Sequence, residues 1–257
     1  MTQLSVTTDY RTDTGCPEPY LRRIAAAGFS HIHWCHHWNT DFLYADCEIE
    51  QIGAWLDELN LELLDLHASS GREKAWGSPK EYERRAGVEL VANRADMCAR
   101  LGGDVIVMHL PDGAFDELWP RLRRSLDELQ PLLRDRGVRI ALENGSSRQS
   151  FDDIERVLTA YSPDYIGLCY DSGHGNRFPE GLDRLEALAS RLLSVHLHDN
   201  DGSADQHRLL FTGTVAWERL ARIIARSAYQ KCVSMEVSMR SEPYEDCLLY
   251  TSPSPRD

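Results

Sequence analysis

Short apolar runs that each end on a potential metal ligand recur along this chain. The runs are LELLDLH, DVIVMH, RIALE, YIGLCYD, LLSVH and CVSME, which end at His67, His109, Glu143, Asp171, His196 and Glu236. Runs of this length and composition are typical of buried β-strands. Because parallel strands end at one edge of a sheet, the pattern predicts a shared site at a common mouth.

Strand patterns alternate with amphipathic helical patterns along the chain, which indicates βα units and a parallel sheet. The sequence predicts eight strands, which begin near Leu4, Ser30, Leu61, Val105, Arg139, Ile166, Leu193 and Val233. Helical spacing predicts helices at Pro19–Ala27, Ile49–Leu59, Tyr82–Leu101, Trp119–Arg136, Phe151–Tyr161 and Trp217–Ala228. At 257 residues, a single α/β domain, a closed (β/α)8 TIM barrel, accounts for this pattern without exposed sheet edges.

The last segment, CLLYTSPSPRD at 247–257, has no periodicity and two Ser-Pro steps. We interpret residues 1–246 as the barrel and 247–257 as a non-native or disordered tail that stands where the last covering helix would begin. A barrel without that helix would leave apolar surface uncovered, so we expect reduced stability or homo-oligomeric association.

The charge balance restricts the partners of the chain. Lys and Arg total 28 against 41 Asp and Glu, a net charge of -13, which disfavours nucleic acid as a partner. The seven cysteines are scattered without CxxC spacing, so neither a disulfide framework nor a structural zinc cluster is predicted. With no leader pattern and no apolar run long enough for a bilayer, we expect a cytoplasmic protein with no membrane partner.

Four strand-terminal residues carry the main metal-site hypothesis: Glu143, Asp171, His196 and Glu236. Three carboxylates and one imidazole suit one divalent metal, Mn, Mg or Co, with Zn also acceptable, and leave positions open for a substrate. The alternative for any one carboxylate is a helix cap or turn, as for Asp171 before SGHG. It is the set of four that indicates a catalytic metal.

Further residues are predicted to line the pocket and contact the substrate. They are His67, His109, His174, Asp205, His207 and Trp34, the last as a flat surface for a sugar-like face, a role that Trp38 could take instead. The spacings of His174 from Asp171 and of His207 from Asp205 also fit additional metal sites or contacts behind the ligands. Both interpretations stay open at the sequence level.

The motifs IALENGS, CYDSGHG, SVHLHDND and SMEV resemble those of the xylose isomerase-like barrel superfamily, which includes sugar epimerases, inosose dehydratases and the endonuclease IV type of DNA-repair enzyme. The resemblance covers essentially residues 1–246. It implies that Glu143, Asp171, His196 and Glu236 hold the metal at the ends of strands five to eight. Asp205, His207, Gly213 and Trp217 in HDNDGSADQHRLLFTGTVAW also match a family pattern.

Two branches of the superfamily fit less well. All nine ligand types of the trinuclear zinc nuclease occur in order, but the presumed mouth loops offer few Lys or Arg to neutralise phosphates. Ketose 3-epimerases run Pro-x-Asn-Arg-Phe-Glu after their metal Glu, whereas NGSSRQ follows Glu143, with Gln149 in the place of the second Glu and Gly202 in place of an Arg. A free ketohexose is therefore disfavoured as substrate.

The leading functional hypothesis is a metal-dependent isomerase or epimerase of carbohydrate metabolism, acting on a sugar or polyol by proton transfer next to a carbonyl, through an enediolate. Glu143 and Glu236 would serve as the catalytic acid and base. The first alternative is a dehydratase of a keto-cyclitol or keto-sugar, and the second is a trinuclear zinc phosphodiesterase like endonuclease IV. A barrel that only binds its ligand is the non-enzymatic alternative.

Overall fold

The computed structural model of the chain describes residues 3–239. Within this range eight parallel strands close into a barrel in the order β1 to β8, each paired with its sequence neighbour and β8 with β1. The strands are β1 Ser5–Thr7, β2 His31–Trp34, β3 Glu62–His67, β4 Val105–Met108, β5 Arg139–Glu143, β6 Ile166–Asp171, β7 Leu192–Leu197 and β8 Ser234–Met235. The chain is thus a single-domain (β/α)8 TIM barrel, as the strand pattern predicted.

Helices connect successive strands and cover the outside of the barrel. They are α1 Glu18–Ala26, α2 Asp46–Leu59, α3 Glu81–Arg100, α4 Phe115–Arg136, α5 Arg148–Ala160, α6 Ser172–Asn176, α7 Gly181–Leu188 and α8 Trp217–Arg226, with a 3-10 turn at Ala189–Arg191. None of the helices in the described part of the chain is long and apolar enough to cross a membrane. The predicted tail at 247–257 and the predicted lack of a last covering helix concern residues outside 3–239.

The sequence pattern located the elements closely. Each of the eight predicted strands is present and begins within one residue of its expected position, and the six predicted helices are all present. The pattern missed α6 and α7, which are only 5 and 8 residues long. A helix of one or two turns is too short to establish a 3.6-residue period, and α6 reads SGHGN, a sequence that also favours turns.

Two helix ends follow ordinary capping chemistry. Helix α4 ends at Gly137, which has φ +67° and so takes the left-handed conformation that favours glycine. Helix α5 begins after Ser147, whose side chain accepts a hydrogen bond from the backbone N–H of Ser150. This cap fixes the loop between Glu143 and α5, which forms one wall of the mouth.

Polar side chains fill much of the barrel interior beneath the mouth. Asp65 on β3 accepts a hydrogen bond from Ser194 on β7, and because these strands are not neighbours, both side chains must project inward. Between the neighbouring strands β8 and β1, the buried Ser234 hydroxyl donates a hydrogen bond to that of Ser5 at 3.1 Å. The interior layers of TIM barrels are usually filled by Val, Ile and Leu, so a buried polar network here calls for a functional explanation.

Candidate metal centre

Four side chains from four consecutive strands converge at the carboxyl end of the barrel. Glu143 ends β5, Asp171 ends β6, His196 lies in β7, and Glu236 follows β8. One potential ligand atom from each of these residues lies within 4.8 Å of those of the other three. The four residues expected to share one metal are therefore brought together as the sequence pattern predicted, and their role as ligands stays a prediction.

The closest contacts in this group are made by the His196 ring. Its Nδ1 lies 3.0 Å from the Glu236 carboxylate and 3.3 Å from that of Glu143. Yet His196 Nδ1 and Nε2, Glu143 Oε2 and Glu236 Oε2 are all buried without a hydrogen-bond partner among the described residues. Buried polar atoms almost always have a partner, and ligand atoms converging without hydrogen-bond alignment fit a set that holds a cation. The residues present thus fit a divalent metal.

The carboxylates are held in their ionised form. Burial opposes ionisation of Glu143, but the neighbouring His109 and His196 outweigh it and hold the pKa of Glu143 well below its usual range. Burial likewise opposes ionisation of Glu236, and the charge of His196 lowers the pKa of Glu236 below its usual range. Ionised carboxylates are the form that binds a divalent cation.

A second group of potential ligands shares Glu143. His67 Nε2 lies 3.4 Å and His109 Nε2 lies 3.5 Å from Glu143 Oε2, and the three residues have ligand atoms within 4.8 Å of one another. The two imidazole rings are 5.1 Å apart. Both histidines therefore lie at the centre, as expected, and could line the pocket or hold a further ion together with Glu143.

A third group surrounds Asp205, in the loop after β7. Its carboxylate lies 3.1 Å from His174 Nε2 and 3.2 Å from His207 Nε2. Burial opposes protonation of His174, yet Asp171 and Asp205 raise the pKa of His174 to about 11, and burial is likewise outweighed at His207, whose pKa is raised to about 10, chiefly by Asp205. All three residues thus lie beside the metal centre.

His198 completes this third group and was not predicted. It is fully buried, its Nε2 lies 3.0 Å from Asp171 Oδ2, and its ring stacks on that of His207 with centroids 3.9 Å apart. The ligand atoms of His198, Asp205 and His207 lie within 4.8 Å of one another. The signal in the sequence was the period of two in SVHLHDND, which places His198 on the same side as His196.

Trp34, expected to contact the substrate, lies away from the metal centre. Trp34 is fully buried between barrel and helices, where its indole N–H donates to the Tyr44 hydroxyl at 3.2 Å. It lines a separate cavity with Trp55, because alternation along β2 turns His33 inward and Trp34 outward. Trp38 reaches the centre instead, with its ring 4.6 Å from that of His67.

Two cavities reach the centre. A cavity of about 660 Å³ lies over Glu143 and His109 and is walled by the loops after β3, β4 and β5, with Asp112, Gln149 and Asp153 among its polar residues. None of the described residues that line it is Lys or Arg. A smaller cavity of about 200 Å³ is lined by Glu236, Trp38 and His207. The two glutamates thus face different cavities.

Comparison with known proteins places this geometry among related barrels. The family model described as xylose isomerase-like TIM barrel matches residues 21–251. An uncharacterised protein of Sinorhizobium fredii is 32% identical over 85% of this chain and 80% of its own length. A probable endonuclease 4 of Mycobacterium ulcerans is 27% identical over 60% of this chain and 66% of its own length. An inosose dehydratase of Clostridium perfringens is 28% identical over 54% of this chain and 52% of its own length.

Solved structures share the fold at lower identity. A D-psicose 3-epimerase determined in the presence of D-fructose has a TM-score of 0.75 and 17% identity, and the match covers 93% of this chain and 88% of that one. The IolI protein with a bound zinc atom has a TM-score of 0.70 and 15% identity over 92% and 89% of the two chains. With the family model matching most of its length, the chain belongs to the xylose isomerase-like TIM barrel family.

Proposed function

We propose that the chain is a divalent-metal-dependent isomerase or epimerase of an uncharged sugar or polyol. The observation that carries the proposal is the placement of Glu143 and Glu236, which flank His196 at 3.3 and 3.0 Å but face different cavities. Two carboxylates on opposite sides of one bound carbon can remove a proton from one face and return one to the other.

Glu143, Asp171, His196 and Glu236 would hold the metal, with Mn, Mg or Co favoured by the oxygen-rich set. When bound, the ion would polarise a substrate carbonyl and stabilise the negative charge that develops as the neighbouring proton leaves. Glu143 and Glu236 would exchange that proton with the substrate. His174, protonated because the nearby Asp171 and Asp205 raise its pKa, would donate a hydrogen bond to a substrate hydroxyl.

The large cavity supports a neutral, polyhydroxylated substrate. Its described lining offers carboxylate, amide and hydroxyl groups from Asp153, Gln149 and Ser150 but no cation to pair with a phosphate. Hydroxyl groups of a sugar both donate and accept hydrogen bonds, so they match such a lining. One relative is named an inosose dehydratase. Elimination of water after the same proton abstraction is therefore the alternative reaction.

A phosphodiesterase is the second candidate, because a specific observation favours it. The groups His67–His109–Glu143 and His198–Asp205–His207 adjoin the four-residue centre, so three ions could bind side by side, and one relative is named a probable endonuclease. The cation-free lining and the net charge of -13 weigh against a polyanionic substrate.

Proton exchange with solvent tests the proposal. The manganese-loaded protein is incubated in D2O with a panel of ketoses, keto-glycosides and keto-cyclitols, and proton NMR follows deuterium entering next to the carbonyl. We expect exchange with the wild type, none with Glu143→Gln or Glu236→Gln, and retained exchange with Asp135→Asn, a control that removes a carboxylate exposed on helix α4, away from both cavities. Cleavage of abasic duplex DNA without exchange on any panel member would establish the phosphodiesterase instead.

A further inference from the structure

A buried histidine beneath the metal centre has no part in the proposed reaction. His33 on β2 is fully buried and projects into the barrel, where its Nδ1 lies 2.6 Å from Asp65 Oδ1. Asp65 is itself buried and also accepts a hydrogen bond from the Ser194 hydroxyl. An ionised carboxylate only accepts hydrogen bonds, so Nδ1 of His33 carries the proton and Nε2 carries the lone pair.

His33 lies next to the metal centre, on its barrel-interior side. Its ring centroid is 4.2 Å from that of His196, and ligand atoms of His33, His196 and Glu236 lie within 4.8 Å of one another. His33 Nε2 also lies 2.9 Å from the sulfur of Cys35, so a cation bound at Nε2 would replace the thiol hydrogen as its partner. A carboxylate that fixes the tautomer of an imidazole is the usual support of a metal-binding histidine.

We propose that His33, His196 and Glu236 form a second, inner cation position that selects zinc, an inference that rests on the proposed metal centre. The set of two imidazoles and one carboxylate is a ligand combination typical of catalytic zinc, whereas the outer set of three carboxylates and one imidazole favours harder ions. The inner and outer positions share His196 and Glu236. Zinc at the inner position therefore competes with manganese or magnesium at the outer one.

The polar barrel interior is explained by this role. The contacts Ser194–Asp65–His33 span the barrel where branched apolar residues are usual. Such a network stabilises little compared with apolar packing, but it fixes the direction of the His33 lone pair. The inner position would make the metal selectivity of this chain depend on a residue outside the four-residue centre.

Metal affinities of the wild type and of His33→Asn test the proposal. Asn keeps an amide N–H for Asp65 but removes the imidazole ligand. Zinc and manganese affinities are measured by calorimetry on metal-free protein, with manganese also followed by its electron paramagnetic resonance. We expect zinc affinity to fall by at least about tenfold, the size of effect seen when metal-site support is lost, while manganese affinity stays within about twofold.

Two further variants keep the test decisive. The double variant His33→Leu/Asp65→Leu removes both buried partners, leaves no unpaired charge, and should fold and show the same loss of zinc preference. His31→Gln is the matched control on the same strand, because His31 lies at the opposite end of β2 from the centre, 3.5 Å from the exposed Glu62, and should leave both affinities unchanged. Unchanged zinc affinity in the His33 variants, or equal loss of both metals, would overturn the inner position. Zinc binding that depends on His33 in a protein that binds no manganese would support the inner position and contradict the outer centre.

Discussion

Metal binding should raise the thermal stability of this protein, because the four ligands of the proposed centre come from four strands. The unfolded chain cannot bring Glu143, Asp171, His196 and Glu236 within 4.8 Å of one another, so a cation binds the folded state alone. Binding to the folded state stabilises it by RT ln(1 + [L]/Kd), which is about 2.7 kcal/mol when the free metal is about 100 times Kd. For a domain of this size each kcal/mol shifts the Tm by about 2–4 °C, so we expect a rise of about 5–11 °C.

The variant Glu236→Gln tests whether the stabilisation by metal comes from the four-residue centre. The amide cannot supply the charge that attracts the ion. A loss of affinity as small as the roughly 10- to 100-fold typical of groups that only support a ligand would already reduce the stabilisation at the same metal concentration to about 0.4–1.4 kcal/mol. The expected rise in Tm then shrinks to about 1–6 °C. Asp153→Asn, which removes a charge from the same cavity but not from the centre, should keep the full rise.

Differential scanning calorimetry on chelator-treated protein, with manganese, magnesium and cobalt added in turn, measures these shifts. A Tm that is independent of all three metals in the wild type would refute the inference that the unpartnered buried atoms of His196, Glu143 and Glu236 are held for a cation. An equal rise in the wild type and in Glu236→Gln would refute the assignment of Glu236 as a ligand.

Two further predictions concern the support of the centre and of the barrel. Gly173→Ala should lower the free energy of unfolding by about 1–3 kcal/mol and weaken manganese binding. The added Cβ would lie 1.9 Å from the ring of His198, which contacts Asp171. Chemical denaturation measures the first effect and calorimetry the second. Asp104→Asn should cost up to about 1 kcal/mol near neutral pH, since burial of Asp104 is outweighed by Lys231 and Arg139, which lower its pKa. Because the folded-state pKa lies below the unfolded value of about 3.9, this contribution is present above that pH and is lost as the pH falls through the folded-state pKa, so urea denaturation should give converging stabilities of variant and wild type in acid.

The sequence predicted the strands and the mouth well because both depend on local patterns. A run such as RIALE marks both a buried strand and its carboxyl end, and the parallel barrel then brings Glu143 next to His196 without any long-range information. The side on which a residue projects was harder to predict on β2. Alternation places His33 and Trp34 on opposite sides of the strand but does not say which of the two projects inward, and both residue types are plausible in a pocket.

Contacts across the barrel were beyond the reach of the sequence for a different reason. His198 is placed in the site by its contacts with Asp171 and His207. His33 is placed there by its contact with Asp65, which lies 32 positions further along the chain. No periodicity encodes which inward side chains of different strands meet, because that depends on the stagger and closure of the barrel. The order of ligand-type residues along the chain therefore predicts that they meet at one end of the barrel, but not which of them bind the same ion.

The sharing of ligands explains why this mouth is compatible with more than one metal count. Glu143 lies within 3.5 Å of His67, His109 and His196 and so belongs both to the four-residue centre and to the group with His67 and His109. Glu236 and His196 belong to the outer centre and to the proposed inner position. An ion at one position changes the charge that the shared carboxylate offers to the next, because the pKa values and ligand strengths of coupled groups are not independent. The number of ions bound should therefore rise in steps with metal concentration, and it cannot be read from the number of ligand-type residues. The catalytic state is the one whose number of bound ions lets the substrate in the large cavity react.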